Sequence, residues 1–229
     1  MIVLVILFIL LVLWMGKECH SLHRFNYEGQ IQELQSLNEV VIKEKMKDKN
    51  PLLIHNVTLP EINLSQIITD NPGYIIKDKD RFILLDKFRD KDMSVYQSES
   101  LYNDLGYRDK LSFVSDHLET KMSCNKRGYL SLFKGFHTIE LTPCIHNVNI
   151  VSVVSGSGIM YMINPKHKND IQGKTNQEVK KWCQRVILKP GSILSIPPNW
   201  YYFYECKADV IIYNYESDVY GTYLYNLLR

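Results

Sequence analysis

The chain is almost without alanine: Ala208 stands alone in 229 residues. Alanine is a good helix former, so folding physics does not account for its scarcity. An AT-rich coding sequence does, because Ile, Asn, Lys and Tyr are abundant; an AT-rich microbe or a large DNA virus fits that bias. A charge excess is also missing. Lys and Arg number 27 against 25 Asp and Glu, a formal +2, which removes the electrostatic case for a nucleic-acid partner. No Cys-x-x-Cys pair occurs. Cys19, Cys124, Cys144, Cys183 and Cys206 are odd in number and loosely spaced. That speaks against a zinc site and for reduced thiols over a disulfide framework. Internal repeats and low-complexity tracts are absent.

One long apolar run is present. Residues 2–16 carry no charged side chain. As a helix at about 1.5 Å per residue, the run reaches about 22 Å, against a bilayer core of about 30 Å. It is expected to be a single-pass transmembrane helix, short for its task, making the membrane a partner through residues 2–16. A cleaved secretory signal is the alternative, but it would want a basic start and a small-x-small cleavage site. Lys17 and Arg24 follow the run and no basic side chain precedes it, so the remainder is expected on the cytoplasmic side or inside a virion. The sequons at Asn56 and Asn63 would carry glycans only in a secretory lumen. The division expected is an anchor over 1–17, a helical linker over 18–49 and a β domain over 50–229.

Residues 27–47 carry apolar positions near helical spacing and predict a helix, ended by Asn50-Pro51. Further helices are expected over 59–69 and 112–118, with a short strand before them at 52–55. From Tyr129 the pattern changes. Short runs rich in β-branched and aromatic residues, at 129–133, 149–154, 159–163, 185–188, 193–196, 201–204 and 210–215, are separated by turn chemistry such as Gly156-Ser157-Gly158 and Lys189-Pro190-Gly191. In the run after Trp200, strand alternation puts Tyr202 and Tyr204 on one face and Tyr201 and Phe203 on the other.

The order of these segments resembles the cupin-like, JmjC-type branch of the Fe(II)/2-oxoglutarate oxygenases, from about Asn50 onward. The most specific piece is Pro190-Gly191 leading to Pro197-Pro198-Asn199-Trp200. It is supported by Asn50-Pro51-Leu52-Leu53-Ile54, Leu111-Ser112-Phe113, Thr142-Pro143, the run from Asn149 to Gly156, the run from Tyr161 to Pro165, and Tyr213-Asn214-Tyr215. The resemblance implies a mainly β fold, a double-stranded β-helix or jelly roll, with a helical lead-in and the N-terminal transmembrane helix.

It also implies a facial triad of two His and one carboxylate, which these positions do not supply. Tyr202 stands where the distal His is expected, Gly158 where a basic residue would grip the cosubstrate, and no His-x-Asp lies between Thr142 and Asn149. Thr142, Asn149, Gly158, Tyr202 and Asn214 are therefore expected to line a vestigial pocket. Tyr202 would plug it and bond Asn149 or Thr142. The expected function is a membrane-anchored, catalytically inactive binding or structural module with an unidentified protein partner and no cofactor. The alternative is a hydroxylase using Fe(II) and 2-oxoglutarate through displaced ligands, with His137 and His146 as candidates.

Overall fold

The computed structural model describes residues 2–78, 81–89, 92–119 and 123–227; Met1 of the expected anchor and residues 228–229 of the expected β domain lie outside them. Helix α1 (Ile2–His23) is followed by strand β1 (Gln32–Leu34), helix α2 (Glu39–Lys45) with a further 3₁₀ turn to Asp48, strand β2 (Leu52–Ile54) and helix α3 (Leu64–Asp70). Strands β3 (Ile75–Asp78) and β4 (Arg81–Leu84) pair with each other and precede β5 (Ser94–Ser98), α4 (Glu99–Asp104) and α5 (Tyr107–Asp116). Then come β6 (Ser123–Phe133), β7 (His137–Thr138), β8 (Thr142–Pro143), β9 (Val148–Ser155) and β10 (Gly158–Ile163). Short helices α6 (Lys168–Ile171) and α7 (Asn176–Val179) lead to β11 (Cys183–Leu188), β12 (Ile193–Ser195), β13 (Tyr201–Cys206), β14 (Val210–Val219) and helix α8 (Tyr220–Leu227).

The larger sheet has the order β1-β2-β12-β9-β14-β6-β5; the smaller has β11-β10-β13-β7, with β8 also on β13. Neighbours in the larger sheet are antiparallel apart from β1 and β2. The expectation of a mainly β jelly roll is corrected: helix makes up 36% and strand 33%, a mixed α/β fold whose sheets do not close into a barrel. Every strand expected after Tyr129 is present. The added helix comes from segments whose composition hid it. The α8 segment Tyr-Gly-Thr-Tyr-Leu-Tyr is built of residues that favour strands or turns. Of the helix expected over 27–47, only α2 forms. Asn38 starts it late, its Oδ1 accepting from the backbone N–H of Val40 and Val41 at 3.1 and 3.2 Å, an N-cap. The residues before it give β1 instead.

The transmembrane expectation is also corrected. Among the described residues no helix is long and apolar enough to cross a membrane. The uncharged run ends at Gly16 and Lys17 interrupts it, leaving the apolar part about 8 Å short of a bilayer core. The single-pass localisation and the membrane partner through residues 2–16 fall with it. Helix α1 contacts α8, and its apolar residues 2–13 remain 49–76% exposed.

Strand β14 divides the core. Alternate residues point to opposite faces, so Ile211, Tyr213 and Tyr215 pack with Leu101, Leu111 and Val114 of the helical layer. Ile212 packs with Val151, Met160, Met162, Tyr202 and Tyr204 between the two sheets. Trp200, with no exposed surface, closes one end of that inter-sheet layer. Its Nε1 donates to the Lys49 carbonyl at 3.2 Å, and Lys49 adopts a left-handed φ of 55° to present it. Burying the ring is worth on the order of 4 kcal/mol, and the bond ties the lead-in to the sheets. Among the described cysteines, Cys124, Cys144, Cys183 and Cys206 are free.

The β9–β10 turn depends on Gly156, whose φ is +82° and whose missing Cβ would stand 2.2 Å from the Asp209 carbonyl oxygen. Gly156→Ala is expected to cost about 2 kcal/mol or more, read as a lower urea midpoint with an unchanged m-value.

Candidate functional site

At the Tyr202 end of the inter-sheet layer, apolar packing gives way to a buried polar network. Residues Asn214, Glu216 and Asp218 of β14 are spaced two apart and face inward, with Asn149 opposite Glu216 on β9. The Asn149 Nδ2 donates to the Tyr202 hydroxyl at 3.3 Å, and Tyr202 is 2% exposed. Asn214 Oδ1 accepts from Ser131 Oγ at 3.1 Å, whose oxygen accepts from the Gln97 backbone N–H at 2.9 Å. Tyr96 also belongs here, its ring 6.3 Å from that of Tyr204. Burial, then the Glu216 charge, pushes the Tyr96 phenol up to about 12. Burial holds Tyr202 well above the ordinary phenol range as well. These phenols stay neutral and fill the space between the sheets.

Of the other expected positions, Thr142 lies opposite Tyr202, but its hydroxyl donates to the Glu140 carbonyl at 3.0 Å. Gly158 pairs with Cys206, and His137 pairs with the same residue. Both are thus about 13 Å along β13 from Tyr202 at about 3.3 Å per residue. His137 bonds the Lys134 carbonyl through Nε2 at 2.8 Å. Asn149, Tyr202 and Asn214 are brought together at one end of the layer, while Gly158 and His137 stand at the other.

His146 enters this network through partners remote in sequence. Its Nδ1 meets Asp218 Oδ2 at 3.0 Å and its Nε2 meets Glu216 Oε2 at 3.3 Å. Asp218 is completed by Asn125 Nδ2 at 2.9 Å and the Asn147 backbone N–H at 3.4 Å, and Glu216 by Gln97 Nε2 at 3.4 Å. Burial opposes the charged imidazole. The Asp218 bond and the charges of Glu216 and Asp218 outweigh that, so His146 titrates above its ordinary range. For Glu216, burial outweighs the pull of His146 and its carboxyl is raised too. The arrangement is an imidazole clasped between two carboxyl groups, a structural charge cluster. It resembles a base held by an orienting carboxylate, but both ring nitrogens are engaged and neither faces a substrate.

A metal does not fit. The two carboxylates sit against opposite ring nitrogens, so with either nitrogen they cannot converge on one ion. Among the described residues no group of three or more His, Cys, Asp or Glu could hold one. This corrects the alternative of an iron-dependent hydroxylase using His137 or His146. Nor is Cys144 a nucleophile. The residue is 2% exposed, its thiol donates to the Ile196 carbonyl at 3.4 Å, and burial raises its pKa far above the thiol range.

An open cleft lies beside this network. A cleft of about 620 Å³ is lined by Met46, Leu118, Val148, Pro197, Pro198 and Val219, with Lys43, Lys47 and Lys49 on its lead-in side. Its volume falls in the ordinary range for small-molecule sites, about 300–1,000 Å³. Asn147 joins cleft to cluster: it lines the cleft, its N–H holds Asp218, and its Oδ1 accepts from the Val219 N–H at 3.1 Å. Sequence reasoning missed this cleft, because its walls come from five separate stretches of chain. The one local signal was Pro197-Pro198, read above as part of a family motif.

No family model matches this chain, and no curated protein matches it at a significant level. Function therefore rests on geometry.

Both raised pKa values mean that proton binding stabilises the fold. The Glu216 contribution is complete below its ordinary 4.5 and the His146 contribution below its ordinary 6.5; each is lost as pH rises through the raised folded value. Thermal stability is expected to decline as pH is taken above 6.5. In His146→Gln, which leaves two buried carboxylates without their cation, stability at pH 6 should drop by about 3 kcal/mol. The gap to the wild type should narrow as pH rises. Parallel pH profiles of the two proteins would contradict the cluster's role.

Proposed function

We propose that this protein binds a small molecule with an apolar body in the cleft between the lead-in and the open end of the sheets. The observation that carries this reading is the contrast between the filled interval between the sheets and the apolar-lined cleft beside it. The interval between the sheets, where a ligand could have entered, is filled by Tyr96, Tyr202 and Tyr204 and a bonded polar network. The cleft outside it has room, an apolar lining and a rigid back wall. Val148 is 2% and Leu118 1% exposed, so the wall is anchored in the core, and Trp200 fixes the opposite side through Lys49. A preformed, largely apolar concavity with a few polar groups at its edge is the general form of a small-molecule site.

Met46 gives the test. It is half-buried at the end of the lead-in helix and lines the cleft. Full-length protein should bind the neutral apolar fluorophore N-phenyl-1-naphthylamine saturably at one site. Met46→Glu places a charge in the apolar lining and should weaken that binding about tenfold or more with little change in melting temperature. A folded Met46→Glu protein that binds the probe as the wild type does would show that the fluorophore sits elsewhere, such as on the exposed residues of α1, and would end this reading.

A further inference from the structure

We infer that the ligand of this cleft is an amphipathic anion, an aliphatic body carrying a carboxylate or phosphate head; this rests on the reading of the cleft as a binding site. The charge around the cleft is one-sided. Lys43, Lys47 and Lys49 line it, and the carboxylate that lines it is Glu119. Glu119 is already committed: Lys126 Nζ contacts its Oε2 and the Tyr215 hydroxyl donates to its Oε1. Its negative charge is neutralised on the far wall and does not offset the lysines.

The lysines are not equivalent. Lys43 pairs with Glu39 one helical turn away, with both side chains about half exposed, and such surface pairs hold weakly. A lysine near the C-terminal end of α2 also complements the helix dipole, which is sufficient reason for Lys43 and Lys45. Lys47 lies past that end, in the 3₁₀ turn, and no described carboxylate pairs with it. It lines the cleft on one side of the turn and an adjoining hollow on the other, which adds Arg24 to the same basic ridge, with Asp48 as the carboxylate there. Asp48 Oδ2 in turn accepts from Gln32 Nε2 at 3.3 Å.

Positive charge is confined to one side of the cleft. Leu118, Val148, Pro197, Pro198 and Val219, with Glu119, Asn147 and Ser195, form the side toward the sheets, and the three lysines stand with Met46 on the lead-in. A cation would meet like charge at the rim. A neutral apolar molecule would fill the lining and leave the ridge unused. A molecule with an aliphatic tail and an anionic head uses both, with the tail against the sheet side and the head at Lys47. Lysine suits this as a mobile point charge that accepts either head group.

The test compares decanoate, decyl phosphate and neutral decanol, each below its micellar concentration, titrated into the full chain by calorimetry at pH 7. Decanoate or decyl phosphate should bind more tightly than decanol, and the tighter of the two identifies the head group. Binding of that anion should weaken as salt is raised from 0.05 to 0.5 M. Lys47→Gln, an exposed substitution compatible with folding, should weaken the anion about fivefold, the size of a solvent-exposed charge interaction, and leave decanol unchanged. Decanol binding as tightly as both anions, or Lys47→Gln leaving the anion's affinity unchanged, would overturn the anionic head while the cleft reading stands. Binding of all three probes unaffected by Met46→Glu would remove the cleft itself.

Discussion

The pleat of β14 is the constraint on which the rest of this structure depends. It lies between β6 and β9, buried on both faces, and alternation assigns its residues to two different cores. One face is apolar and aromatic and takes the helical layer. The other begins apolar at Ile212 and becomes polar from Asn214 onward, where the sheets end. A one-residue slip would exchange the faces, setting Glu216 and Asp218 among Leu111 and Val114 and the aromatic Tyr213 and Tyr215 against the polar end. The register is held because each face has a single environment that accepts it. The clasped His146 is the means by which two inward carboxylates are tolerated so far inside.

The strands after Tyr129 were legible because their evidence is local. β-branched and aromatic runs bounded by Gly and Pro turns declare themselves in six or seven residues, and the alternation at Tyr202 and Tyr204 could be read directly. Helix was less legible. The α2 start depends on a single Asn38 cap, α4 is six residues long, and α8 is written in residues that favour strands. The balance of fold class shifted through these short pieces. At the site, His146 could be noticed but its partners could not. Asp218 and Glu216 lie some seventy residues away, joined to it only by the pairing of β9 with β14. Its near neighbour Cys144 turned out to bond backbone carbonyls instead.

The charge cluster and the cleft share a wall. Asn147 presents its side chain to the Val219 backbone on one side and its own N–H to Asp218 on the other. A buried hydrogen-bonded network behind a binding surface holds that surface in one arrangement, because each bonded polar atom that moved would lose a partner in a low-dielectric setting. Trp200 does the same for the opposite side, fixing the left-handed turn at Lys49 from below. The cleft therefore lies between two pinned segments. Its adaptable element is Met46, whose unbranched thioether can follow the outline of different occupants.

The central position of β14 also bears on how the chain is made. Both strands that flank it, β6 and β9, precede it in synthesis, and their pairing edges stand open until it arrives. A chain emerging from the ribosome can form the β3–β4 hairpin and the short helices early, since their contacts are local. The middle of the larger sheet must wait for β14, which is translated well after β9. Long-range pairing of this kind slows folding, and unpaired edges left waiting are prone to wrong partners. Nascent chains halted before residue 210 would carry two vacant strand edges facing one another across a gap one strand wide, a slot shaped for β14 and open to any extended peptide that reached it first.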